Sequence, residues 1–202
     1  MFGGDGERES AIPELSDQVV SRIGDLWTLG DSRLYCGDAT LPASFTTLLK
    51  GEKVRAVITG PPYNVEVAGH ITSGGKHDEF VMASGEMTDD EFTGFLTAVK
   101  QRSAENLADG GLIYLFMDWR HQLHVLTAAQ QASLELLNLL IWDKTAGGMG
   151  SFYRSRHELI FLFRKPGASH LNRVELGKHG RNRSNGWTFS FTMCGFAQSV
   201  VP

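Results

Sequence analysis

Val57-Ile58-Thr59-Gly60-Pro61-Pro62-Tyr63-Asn64-Val65 is the stretch whose reading decides the fold. The apolar run from Val54 to Thr59 reads as a β-strand, and its unbroken character after Arg55 fits a central parallel strand covered on both faces. Two prolines then fix φ twice, remove two backbone donors and hold the preceding residue extended, so the ladder cannot continue. The strand therefore delivers the chain into a stiff turn that presents an aromatic ring, Tyr63, and an amide, Asn64.

The segments around this turn alternate. Upstream, Leu26 to Leu29 and Arg33 to Cys36 read as short strands joined by a turn at Gly30-Asp31, with a short helix after Pro42 carrying Phe45, Leu48 and Leu49. Downstream, residues 66 to 86 have loop composition, rich in Gly, His and Ser. Thr88 followed by Glu91 has the spacing of a capping box, and Phe92, Phe95, Leu96, Val99, Ala104 and Leu107 continue a helical face to Asp109-Gly110-Gly111. Leu112 to Met117 reads as a buried strand ending at Asp118, His121 to Ser133 as a helix, and Leu134 to Trp142 and Leu159 to Phe163 as further strands. The alternation predicts an α/β fold with a mostly parallel sheet and helices on its faces, where ligands bind outside the carboxyl ends of strands. Gly60, Asp118 and Asp38 fall at such ends. The expected domains are a polar tail at 1–22, a core at 23–165, a basic segment at 166–189 and an atypical tail at 190–202.

Composition narrows the function classes. A chain of 202 residues with 42% hydrophobic and 21% charged content can bury one substantial core. No stretch approaches the roughly 18 apolar residues of a spanning helix, so no membrane partner is expected. The acidic, polar N-terminus is unlike a signal peptide, and Cys36 and Cys194 are too few for a disulfide framework, so the expected location is cytoplasmic. No metal site is expected, because His157-Glu158 lacks further spaced ligands and reads as a buried or hydrogen-bonded pair ahead of a strand. The net charge of -4 conceals an asymmetry: residues 143 to 183 carry nine Lys or Arg against three acids, a net of +6, leaving -10 elsewhere. One phosphate-facing region on an otherwise acidic protein would give this division, as would a solvated basic surface.

Gly60-Pro61-Pro62-Tyr63, placed after a strand, resembles the catalytic loop of the amino-group DNA methyltransferases, which act on adenine N6 or cytosine N4. The resemblance covers roughly Ser21 to Phe189 and is that of the phage and mobile-element type, whose catalytic motif precedes its cofactor motif. It is carried by Gly24 to Asp31, Arg33 to Thr40, Val57 to Val65, Gly110 to Tyr114, Met117 to His121, Ile141 to Lys144, Gly147 to Glu158 and Gly177 to Trp187. It implies an incomplete Rossmann-like methyltransferase fold, double-stranded DNA as partner and S-adenosyl-L-methionine as cofactor.

By that resemblance the turn residues divide the work. An exocyclic amino group is a weak nucleophile because its lone pair is delocalised into the ring, so the site must hold its N–H groups and aim the nitrogen at a methyl donor. The family's Asp or Asn at the first motif position accepts one hydrogen, a proline carbonyl takes the other, and the aromatic ring stacks on the flipped base. Here those roles fall on Gly60, the Pro61 carbonyl and Tyr63, with Pro62 stiffening the turn. Gly60 has no side-chain acceptor, and a lost preorganised group of this kind costs roughly 2.7–4 kcal/mol. Severe impairment is the expectation, and Asn64 lies too far along to substitute.

The remaining candidates are less sharply defined. Asp38 and Asp118 match the donor side of the family's pocket, while capping of the next turn or helix accounts for each equally well. Arg154 and Arg156, then Lys178, Arg181 and Arg183 mixed with His179, Asn182 and Asn185, suit phosphate and base-edge contacts. Trp142 and Trp187 read as core or cleft-wall residues. The family's His-Pro-Thr-x-Lys-Pro-like segment and its Asp-x-Phe-x-Gly-x-Gly-like donor loop are absent from the sequence. The implied protein is a truncated methyltransferase, with a DNA-binding remnant or a half completed by a complementary chain as alternatives.

Overall fold

The computed structural model describes residues 20–65, 82–147, 152–170 and 172–189. Most of the expected N-terminal tail, the loop as far as residue 81, the glycines at 148 and 150, and the tail from 190 lie outside the described residues.

A small hairpin opens the fold. β1 (Leu26–Leu29) and β2 (Ser32–Tyr35) pair antiparallel around the turn at Gly30-Asp31, and Arg33 ties the hairpin to α1 (Pro42–Leu49) by donating to the Leu48 carbonyl at 2.6 Å. The chain then enters a five-stranded sheet in the order β3-β4-β6-β5-β7, formed by β3 (Val54–Thr59), β4 (Leu107–Met117), β5 (Glu135–Asp143), β6 (His157–Arg164) and β7 (Gly186–Thr188).

This sheet is mixed, which corrects the expectation of a mostly parallel one. β3 with β4 and β5 with β7 pair parallel, whereas β6 runs antiparallel to both β4 and β5. The cause lies in the connections. α2 (Asp89–Asn106) is a crossover that returns the chain parallel to β3, and α3 (Gln122–Gln131) carries it one place beyond the neighbour of β4. The chain then turns back from β5 with no helix among the described residues of the connection, so β6 fills the gap in the opposite sense. A second correction concerns β3, which is an outer strand. Its inner edge pairs with β4, no described strand pairs with its outer edge, and Ile58 is 74% exposed.

The core lies between one face of the sheet and the two helices. Phe92 and Leu96 of α2 and Val125, Ala128 and Ala129 of α3 pack over Leu107, Ile113, Leu115 and Met117 of β4 and Leu159, Phe161 and Phe163 of β6. α2 starts as its sequence directs: Thr88 accepts from the Glu91 N–H, and the Glu91 carboxylate accepts from the Thr88 N–H. It ends at Asn106, earlier than its apolar spacing suggests, because Leu107 already belongs to β4. Between Val54 and Ala56 the register with β4 jumps from Leu107 to Leu112, and Gly110 sits in that irregularity with φ 72°. A Cβ there would stand 2.5 Å from the Ser169 carbonyl oxygen, so glycine is required twice over.

Candidate active site

β3 places Gly60-Pro61-Pro62-Tyr63 at the carboxyl end of a parallel strand pair, beside the end of β4. Pro61 is buried and Gly60 is exposed. Gly60 does not have positive φ, and a Cβ built on it meets only the Phe116 Cβ, at 3.9 Å. The position therefore has room for a side chain, and nothing in the backbone demands glycine there.

Asn64 closes the turn with φ 53°, a conformation that asparagine tolerates better than most residues. Its side-chain N–H donates to the Met87 carbonyl at 2.9 Å, and its oxygen accepts from the Gly85 and Met87 N–H groups at 3.1 and 3.2 Å. The amide is thus a clip between the turn and the segment entering α2. This use was not legible in the spacing, because its partners lie 21 and 23 positions along the chain.

Tyr63 is half-buried, and its ring rests against the core cluster. Desolvation, followed by the nearby Glu158 and Asp118 carboxylates, pushes the phenol pKa well above its ordinary value, so the hydroxyl stays protonated and faces Glu158. Glu158 in turn accepts from the Lys144 ammonium at 2.8 Å. Sheet register assembles this group: Met117 stands opposite Leu159, and Glu158 opposite Trp142, so Asp118 and Glu158 meet at the level of the proline turn. Asp118 and Glu158, about 55 and 95 positions from Tyr63, gather in this way, which is why the sequence singled out His157-Glu158 only as a buried or hydrogen-bonded pair. Trp142 closes the neighbouring wall, its ring edge-on to Phe116 at 6.3 Å between centroids.

The two expected donor-side carboxylates serve as caps. Asp38 accepts from the Thr40 N–H and hydroxyl, both at 2.7 Å. Asp118 accepts from the Arg120 and His121 N–H groups, lies 2.9 Å from His121 Nδ1 and pairs with the Arg120 guanidinium at 2.7 Å. Of the five expected DNA contacts, three are engaged internally. Arg156 forms two hydrogen bonds to Asp143, at 2.6 and 2.7 Å, and holds that carboxyl below its ordinary pKa. Lys178 and Arg181 both meet Glu175, at 3.8 and 2.7 Å. Arg154 and Arg183 are exposed and form no ion pair among the described residues. Among the described residues there is also no group of three or more side chains able to hold a metal, and no helix long and apolar enough to cross a membrane.

The model of the DNA methylase family, N6 and N4 type, matches residues 54–193, which is most of the chain and includes the proline turn. The chain belongs to the DNA methylase family. No curated protein matches it. Among solved structures, the cytosine-N4-specific PvuII DNA methyltransferase aligns with a TM-score of 0.52 at 12% identity, over 77% of this chain and 56% of that one. M1.HpyAVI, solved with its SAM ligand, gives 0.43 at 17% identity over 63% and 50%. TTHA0409 of Thermus thermophilus, assigned as a DNA modification methylase and solved with S-adenosyl-L-methionine, gives 0.47 at 17% over 75% and 66%. At these identities the likeness is one of fold, and only the PvuII alignment is strong enough to support it. This DNA methylase chain spans about half to two thirds of the length of those structures.

Proposed function

We propose that the chain is the catalytic-loop portion of a site-specific DNA methyltransferase, whose reaction moves a methyl group from S-adenosylmethionine to adenine N6, with cytosine N4 as the second choice, and that it is impaired as written. The observation that carries this reading is Gly60-Pro61-Pro62-Tyr63 at the carboxyl end of β3, inside the segment that matches the family. In this reading the Pro61 carbonyl accepts one hydrogen of the amino group and Tyr63 supplies the base-facing ring. Gly60 leaves the second hydrogen without a side-chain acceptor. Tyr63 must turn away from the core to stack fully, and the contact with Glu158 opposes that movement.

The described residues do not by themselves fit the sulfonium donor. Asp118 is occupied by its cap and by Arg120, Asp38 by Thr40, and the sequence lacks the family's glycine-rich donor loop. Asp38 and Asp118 are the cofactor-side candidates of this proposal, and Arg154, Arg156, Lys178, Arg181 and Arg183 its DNA-side candidates. Exposed ion pairs stabilise by only about 0–1 kcal/mol, so Arg156, Lys178 and Arg181 can exchange their carboxylates for phosphates at little cost.

A second reading is favoured by the outer edge of β3, which has no strand partner among the described residues: the chain is half of a split methyltransferase, and another polypeptide supplies the donor-binding part against that edge. One experiment addresses both readings. Unmethylated duplex DNA and S-adenosylmethionine labelled in the methyl group are incubated with the chain, alone and with a polypeptide carrying a glycine-rich donor-binding segment. The expected result is no labelled DNA from the chain alone, even with Gly60→Asp, and N6-methyladenine from the supplemented Gly60→Asp chain. Transfer at an ordinary enzymatic rate by the unsupplemented chain would remove the claim of impairment. Failure of the supplemented variant on every DNA tested would remove the methyltransferase reading.

A further inference from the structure

The connection between β5 and β6 carries a feature that the catalytic turn does not use. Phe152 and Tyr153 are 87% and 82% exposed, with ring centroids 4.6 Å apart and planes inclined at 75°. Isolated exposed apolar residues are ordinary. Two large rings presented side by side, each able to bury about 150–250 Å², form a surface to be covered.

The loop that bears them has a fixed base. The Lys144 N–H donates to the Arg156 carbonyl at 2.9 Å, the Arg156 guanidinium grips Asp143, and the Lys144 ammonium reaches Glu158. Since Asp143 stands opposite His157, this base lies at the sheet end that also holds Asp118 and the proline turn. Charge selects the occupant. Arg154 follows the two rings directly, is exposed and forms no ion pair among the described residues, whereas six of the other cations in this basic region are paired with carboxylates. At the same end Trp119 is 52% exposed, with the Arg120 guanidinium 5.2 Å from its ring centroid. Aromatic faces beside an arginine without an ion pair suit unstacked bases and their phosphates, while an apolar protein surface would gain nothing from Arg154.

We propose that Phe152 and Tyr153, with Arg154 beside them, form a stacking platform for unpaired nucleotides of a DNA strand. The platform rests on the methyltransferase reading for the presence of DNA and adds to it a place where a strand opened next to the catalytic turn is held.

The test is titration of a fluorescein-labelled oligothymidine strand with the full chain, followed by anisotropy at several salt concentrations, with a duplex measured in parallel. Replacing both rings, Phe152→Ala with Tyr153→Ala, weakens single-strand binding roughly 5- to 150-fold and leaves the salt slope unchanged. Arg154→Gln lowers that slope by about 0.7. Phe152→Trp with Tyr153→Trp retains the affinity, which separates stacking from a general disturbance of the loop. Equal affinity of the double alanine variant and the parent overturns the proposal, as does a parent that does not bind the strand at low salt. Duplex binding that persists in either case leaves the methyltransferase reading standing, and a platform that behaves as stated without methyl transfer by the supplemented enzyme removes only that reading.

Discussion

Gly60 and Lys100 each hold a side chain, or the lack of one, that their surroundings would not select. Gly60 occupies a position with room for a Cβ and without positive φ, so its glycine serves no backbone need, in contrast to Gly110. The missing acceptor was legible in the sequence because the motif is contiguous. The environment of Tyr63 was not, because Glu158 and Asp118 reach it only through strand register. Lys100 is 1% exposed, donates to the Val125 carbonyl and sits 4.9 Å from the Phe163 centroid. Burial pushes its pKa from 10.5 down to about 7. Between those values the unfolded chain binds more protons than the folded one, so this group makes stability rise as pH increases from about 7 towards 10. Below about 7 the dependence vanishes and the cost of the buried charge is fully present. Lys100→Met should flatten that rise and stabilise the chain at pH 6 by on the order of 3 kcal/mol in urea unfolding. Parent and variant curves that stay parallel from pH 6 to pH 9 would contradict this.

At the scale of elements, local signals served well and directional ones did not. The capping box at Thr88 and Glu91, the hairpin at Gly30-Asp31 and the strand at β3 follow from contiguous chemistry. Thr88→Ala should lower stability by about 1 kcal/mol, read as a shift of the denaturation midpoint at constant slope. No measurable shift would mean that tertiary packing alone holds that end of α2. The direction of β6 was hidden because an apolar run such as Leu159 to Phe163 reads the same whichever way its neighbours point. The early start of β4 was hidden because Asp109-Gly110-Gly111, a stop signal for a helix, here forms an irregularity within a strand. β7 is three residues long, too short to carry a pattern.

Across the whole molecule, the five-stranded sheet ends at the three-residue β7 on one side and at β3 on the other, and among the described residues no strand pairs with the outer edge of β3. An outer strand with a 74% exposed isoleucine invites pairing with another chain. Ile58→Lys should leave thermal stability within about 0.5 kcal/mol and reduce self-association in sedimentation velocity. Unchanged association would place the contact surface elsewhere. The charge asymmetry was legible as composition, but its consequence was not. Six of the nine basic residues meet acids brought to them by the fold, which leaves Arg154, Arg173 and Arg183 exposed without an ion pair among the described residues. The central claim is that the turn after β3 grips an amino nitrogen and that Gly60 removes half of the grip. Its most direct measurement is the rate of methyl transfer to DNA by the parent chain and by Gly60→Asp, each supplemented with the same donor-binding polypeptide. The account predicts that the aspartate variant is faster by about two to three powers of ten. Equal rates, or a faster parent, would contradict it.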